Sequence, residues 1–384
     1  MARPIRVGIS HGDINGISYE IILKAVGAEG FTEVCTPVIF GTSKLVSFYR
    51  KALGIGDFYF RQVSSAEGVA DGEVNVVNIS NEDIKVVPGT PSAESGAAAL
   101  LSLEKATEAL LAGDIDVLVT APIDKNTIQG EGFRFSGHTE YLQSKAGDGA
   151  KSLMILFDDH VRVALVTTHL PIGKVAEAVT KERIVEVVRL FDRSLRADFS
   201  CERPKIAVLS LNPHCGDHGL LGKEEQETIA PAIDQCVAEG ILAFGPYSAD
   251  GFFATDVYKN FDGVVAMYHD QGLAPFKALA RENGVNFTAG LPFVRTSPDH
   301  GTAYDIAGKG VADETSMREA IYKAIDIFRC RRSFERASAN PLRKQTDSRK
   351  ADKGRSAKEA SEKEADRKPS APAAVSPESG GQQD

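Results

Sequence analysis

The chain has 384 residues, of which 42% are hydrophobic and 25% charged, an ordinary globular composition long enough for two domains and a large core. A formal net charge of −9 argues against general nucleic-acid binding, which draws on a basic surface, and no apolar run approaches the roughly 20 residues that span a bilayer. Five widely spaced cysteines without a CxxC pair fit reduced thiols, and an amino terminus (MARPIRVGIS) without an apolar signal core points to the cytoplasm.

Strand-like runs alternate with helical patterns, which predicts an α/β fold built on a parallel or mixed sheet. In chain order, strands are expected at Ile5–Ser10, Pro37–Phe40 and Val74–Ile79. A helix follows from about Ser95 to Leu111, with Ala98, Leu101, Ala106 and Leu110 near one face and Gly113 as its stop. Val117–Thr120 and Leu153–Phe157 read as further strands. Three apolar, β-branched runs then end on histidine: Val161–His169, Ile206–His214 and Gly263–His269. A last helix is expected from about Ser316 to Phe334. From Arg343 to Asp384 the only apolar side chain larger than alanine, prolines aside, is Val375, so residues 343–384 are expected to be a disordered tail.

The three histidine-ended runs carry the most chemistry. In open α/β sheets ligands bind beyond the carboxyl ends of strands, which would put His169, His214 and His269 on one edge. Neutral imidazoles suit zinc-like metals, and three of them leave a position open for substrate; the alternative is hydrogen-bonded loop residues. Four more segments bear polar groups. SGHTEYL places His138 and Thr139 side by side, suited to a phosphate or carboxylate oxygen or to a helix cap. LNPHCGDHGLLGKEE has Gly216, Gly219 and Gly222 before an expected helix, where the backbone could approach a phosphate or simply turn; His218 competes there with His214, and Cys215 reads as a packed thiol. Asp250 and Asp270 could ligate, orient an imidazole or accept a proton. Lys277, Asn286 and Arg295 fall close together in sequence, and Arg295 can grip an oxyanion in bidentate fashion.

SGHTEYL, LNPHCGDHGLLGKEE, MYHDQGLAPFK and GVNFTAGLPFVRTSPDHGTAYDIAGKG occur in this order, with TAPIDK and SHGDINGISYE before them. Together they resemble the 4-hydroxythreonine-4-phosphate dehydrogenase family of pyridoxine biosynthesis over about residues 4–335. The opening departs from that family's GDPAGIGPE form at Ile14, Asn15, Ser18 and Tyr19. The resemblance implies a two-domain isocitrate/isopropylmalate dehydrogenase-like fold with its active site in the interdomain cleft. Residues 1–130 with about 300–340 would form the first domain, and residues 131–299 the second. The resemblance also implies a homodimer with shared sites, His169 coming from one subunit and His214 and His269 from the other. These three would hold one divalent metal such as zinc, cobalt or magnesium. Substrate contacts are implied for His138, Thr139, Lys277, Asn286 and Arg295. NAD or NADP binding is implied without the usual fingerprint, with Gly216, Gly219 and Gly222 expected in the cofactor loop. The implied substrate is a phosphorylated amino acid, 4-phosphooxy-L-threonine. Lys277 would take the proton-transfer role, and Asp250 or Asp270 would orient ligands or relay protons. A paralogous dehydrogenase of threonate or erythronate phosphate is the alternative; a metal-dependent phosphatase would ignore NAD.

Overall fold

The computed structural model describes residues 3–340 apart from positions 57 and 131; the expected tail, 343–384, lies outside the described residues. The chain through Arg336 forms one compact unit; of the second unit, which begins at Ala337, only residues 337–340 are described. Its centre is a 12-stranded sheet. The strands are β1 (Arg6–Ser10), β2 (Thr36–Gly41), β3 (Arg61–Val63), β4 (Asn75–Asn78), β5 (Val117–Thr120), β6 (Leu153–Phe157), β7 (Arg162–Leu165), β8 (Lys205–Leu209), β9 (Leu242–Tyr247), β10 (Gly263–Ala266), β11 (Val285–Ala289) and β12 (Val294–Pro298). Every strand expected from sequence is present, Val117–Thr120 and Leu153–Phe157 with the expected bounds and the others with ends shifted by one to several residues. β3, β9, β11 and β12 are additional.

The sheet order is β3-β4-β2-β1-β5-β12-β11-β6-β7-β10-β8-β9. The six strands from β3 to β12 pair in parallel, as do β7, β10, β8 and β9. Between them β12–β11, β11–β6 and β6–β7 are antiparallel. Strand direction therefore reverses across the centre, and the two parallel blocks run opposite ways. Such blocks need both faces covered, and the inward positions (Ile9, Val119, Val208, Val265) are fully buried under flanking helices.

The helix expected from about Ser95 runs Ala93–Ala112. Ser92 caps it in a reciprocal box with Ser95, and Gly113 ends it at φ 81°, a left-handed conformation that suits glycine. The last helix runs Thr315–Ser338 and buries Met317, Ile321, Ala324 and Ile325. No helix among the described residues is long and apolar enough to cross a membrane.

Candidate active site

The antiparallel centre of the sheet forms the floor of a cavity of about 680 Å³. Register decides which side chains face it. Asn286 on β11 stands opposite Ser297 on β12 and Leu156 on β6, while Thr288 stands opposite Met154. Arg295 on β12 stands beside Leu118 on β5, which places Thr120 diagonally next to it on the same face. The walls come from the segment after β5, the helix His138–Lys145, the end of β7, the helix His269–Ala280 and the loop after β12.

Arg295 is the strongest electrostatic feature. It is only 3% exposed, yet its guanidinium meets no carboxylate within ion-pair distance among the described residues. It donates instead to neutral hydroxyls, from Nε to Thr120 Oγ1 at 3.0 Å and from an η nitrogen to Thr288 Oγ1 at 3.1 Å. Burial lowers its pKa from 12.5 to about 9. A buried cation held only by hydroxyls keeps its charge available for an anion. Thr139 Oγ1 lies 3.4 Å from Thr288 Oγ1, so the Thr139 hydroxyl joins the same cluster.

His138 opens its helix just after Gly137, where backbone N–H groups are unsatisfied. Burial, then the charges of Arg295 and Lys125, hold its pKa well below the ordinary imidazole value, so it is neutral. Its Nε2 is buried without a partner, as are Asn286 Oδ1 and His300 Nε2, and all three residues line the cavity. Orphaned buried polar atoms are rare, and three on one cavity mark a ligand's contacts. Lys277 reaches Asp299, with Nζ 3.2 Å from the backbone oxygen and 3.4 Å from Oδ1. Burial raises the Asp299 pKa, and Lys277 opposes that rise.

Seven of the residues expected at the site line this cavity: His138, Thr139, His169, His269, Lys277, Asn286 and Arg295. The rings of His169 and His269 are 5.8 Å apart because β7 and β10 are neighbours. His269 Nδ1 is 2.7 Å from Asp270 Oδ1; a carboxylate accepts there, so Nε2 is the bare nitrogen. Asp270 touches His269 with its carboxylate while its side chain stands mostly in solvent.

His214 departs from expectation. It follows β8, beside β10, but Pro213–Gly219 winds through six successive positive φ angles and leaves His214 exposed outside the cavity lining. The ring pair within one chain is thus His169 with His269, not His214 with His269. Among the described residues no group of three or more His, Cys, Asp or Glu could hold a metal ion. Asp250 is likewise outside the lining and near His214; its carboxyl is held low first by Ser248, and His214 contributes less. Gly216, Gly219 and Gly222 also lie outside the lining, and all three turn the backbone at positive φ. A Cβ on Gly222, at φ +138°, would fall 2.3 Å from Asn212 Nδ2, and one on Gly216 would fall 2.6 Å from Glu225 Oε2. Cys215 packs with Sγ 3.5 Å from the Pro246 oxygen.

Sequence reading missed Thr120, Thr288, Asp299, His300 and Lys125. One signal was available: β12 and its extension (VRTSPDH) form a fourth strand that runs out into a histidine.

The family model described as pyridoxal phosphate biosynthetic protein PdxA matches residues 33–324. The 4-hydroxythreonine-4-phosphate dehydrogenase of Bacteroides thetaiotaomicron is 55% identical over 341 residues, 89% of this chain and 93% of that one. A crystal structure of the same-named enzyme from Klebsiella pneumoniae superposes with TM-score 0.71 at 33% identity, covering 85% of this chain and 100% of that one. A terephthalate 1,2-cis-dihydrodiol dehydrogenase from Burkholderia xenovorans superposes with TM-score 0.56 at 25% identity, covering 84% and 98%.

Proposed function

This chain belongs to the PdxA family, and on that premise we propose that it oxidises the C3 hydroxyl of 4-phosphooxy-L-threonine with NAD⁺ or NADP⁺. The hydride leaves C3 for the nicotinamide and the hydroxyl proton goes to a base. The product, 2-amino-3-oxo-4-phosphooxybutanoate, is a β-keto acid, and loss of CO₂ gives 3-amino-2-oxopropyl phosphate. The observation that carries this reading is the buried, carboxylate-free Arg295 beside a neutral His138 and the orphaned Asn286 Oδ1. That set suits a small, multiply charged, hydroxylated anion.

The residues divide the work. Arg295 and Thr139, with the N–H groups that open the His138 helix, bind an oxyanion. Neutral His138 and Asn286 exchange hydrogen bonds with hydroxyl or amino groups. Lys277 stands in the cavity with Asp299 behind it, a pair able to exchange a proton with the reacting oxygen. His169 and His269, with His214 from a second copy of the chain, would hold a divalent ion. Two converging imidazoles, one oriented by Asp270, fit that role and leave one ligand to be supplied. When bound, such an ion lowers the pKa of a hydroxyl and polarises the carbonyl that replaces it. We place the domain division at residues 1–130 with about 300–340 against 131–299, which assigns β1 to β5 to the first domain and β6 to β12 to the second.

The test is NAD(P)H formation from 4-phosphooxy-L-threonine before chelation, after it and after metal re-addition. A panel should include threonate and erythronate phosphates and a cyclic dihydrodiol. Full activity in rigorously metal-free protein would remove the metal from the reading. Phosphate release without NAD(P)H formation would replace the reading by hydrolysis.

A further inference from the structure

The cavity holds a second cation, Lys125, that pairs with no carboxylate among the described residues. Beyond β5 the chain passes through Ala121, Pro122 and Ile123 into a turn fixed by Asp124, whose Oδ1 accepts from the Asn126 N–H at 2.8 Å and the Thr127 N–H at 2.9 Å. The helix Ala93–Ala112 presses on this turn: a Cβ on Gly96 would lie 2.0 Å from the Thr127 oxygen, so the backbone on either side of Lys125 is pinned. The Lys125 side chain reaches over Gly137, with Cε 3.8 Å from the position a Cβ would take there, beside the N–H groups that open the His138 helix.

The other cations of the cavity are spoken for or buried. Lys277 pairs with Asp299, and Lys151 and Arg183 both pair with Glu186. Arg295 has only hydroxyls. No carboxylate of the described residues lies within ion-pair distance of Lys125, although Glu140 shares its rim, with Oε2 3.6 Å from the same Cβ position at Gly137. After burial and Arg295, the Lys125 charge also acts on His138, holding its imidazole neutral. A phosphate monoester carries about −1.5 to −2 at neutral pH, more than one guanidinium neutralises.

We propose that Lys125 is a phosphate-binding residue, the second cation of a clamp whose first is Arg295. Arg295 grips from the sheet floor, Lys125 from the rim, and the helix start at Gly137–His138 lies between them. The proposal rests on the reading of a phosphorylated substrate and adds the residue that balances its charge.

The experiment is calorimetric titration of the full chain with inorganic phosphate, for wild type, Lys125→Ala, Lys125→Arg and Lys105→Ala. Lys105 is exposed on the helix Ala93–Ala112, outside the cavity lining, and paired with Glu108, so its variant controls for the loss of one charge. Lys125→Ala is expected to weaken phosphate binding about tenfold or more, the size of one charge-assisted hydrogen bond. Lys125→Arg should stay within a few-fold of wild type, and Lys105→Ala should match it. KM for the phosphorylated substrate should rise with the phosphate Kd, and kcat should change less. Equal phosphate affinity in wild type and Lys125→Ala overturns the proposal, as does wild type that binds no phosphate at millimolar concentration. Phosphate binding that depends on Lys125 in a protein that oxidises no phosphorylated hydroxy acid supports the clamp and overturns the proposed reaction. Normal turnover with an unchanged KM in Lys125→Ala does the reverse.

Discussion

Replacing Arg295 by methionine is expected to separate stability from function. Burial takes the guanidinium pKa from 12.5 to about 9. At about 1.36 kcal/mol per unit, holding the charge in the empty site costs about 5 kcal/mol. The folded pKa lies below the unfolded one, so the unfolded chain binds this proton more tightly. The cost is therefore complete below about pH 9 and is relieved as pH rises above it. Methionine keeps most of the aliphatic volume and removes the charge. It also strands the hydroxyls of Thr120 and Thr288, at about 1–3 kcal/mol each. The balance at pH 7.5 runs from about 1 kcal/mol of destabilisation to about 3 kcal/mol of stabilisation, so Tm should stay near the wild-type value or rise. The anion loses its main partner, and kcat/KM should fall at least about 10–100-fold. Scanning calorimetry and a steady-state assay read the two effects separately. A Tm lower by several degrees with kcat/KM intact would show that Arg295 braces the sheet, and would refute the argument that its charge is reserved for a ligand.

Mixed dimers test how the imidazoles are grouped. Co-refolded His169→Ala and His214→Ala chains should recover activity at one of two sites, because each supplies what the other lacks, whereas His169→Ala with His269→Ala should recover none; the opposite result reverses the grouping. Thr288→Val removes one hydroxyl from Arg295 and should lower kcat/KM about tenfold while Tm changes little; equal loss of both would make Thr288 a packing residue. His11 is buried, with its pKa lowered by that burial to about 4, so the unfolded state takes up its proton first and stability should decline by about 3 kcal/mol as pH falls from 6.5 to 4. Urea unfolding of His11→Phe should show a shallower decline, and an unchanged slope would assign it to other groups. Gly222→Ala should destabilise by about 1–3 kcal/mol, since its φ of +138° and the nearby Asn212 leave a Cβ no room; a Tm equal to wild type would show that the turn yields.

Most strands and the two longest helices were legible because each is a local pattern. Apolar runs such as Val117–Thr120 read directly as buried strands, and the stop at Gly113 needs only the chemistry of one residue. The same locality hid β11 and β12. Their outer positions (Val285, Phe287, Ala289; Val294, Thr296) are core-like, but their alternate positions carry Asn286, Thr288, Arg295 and Ser297, because that face is the cavity floor. Such a strand alternates apolar with polar positions over only five residues and lacks the continuous apolar run by which the other buried strands were read.

The sequence by itself determined which residue types are present: the histidines at strand ends, the SGHTEYL pair, and the cations near the carboxyl end. The tertiary structure alone decided which of them meet. Three antiparallel pairings at the centre turn the two halves in opposite directions and bring β5, β12 and β11 side by side, so Thr120, Thr288 and Arg295, as many as 175 positions apart, form one contact set. His169 and His269 converge because β7 and β10 are neighbours, and six successive positive φ angles carry His214 away. Register and strand direction are properties of pairing between distant segments, and the free energy that sets them comes from burying whole faces of the sheet at once, which no local stretch of sequence encodes.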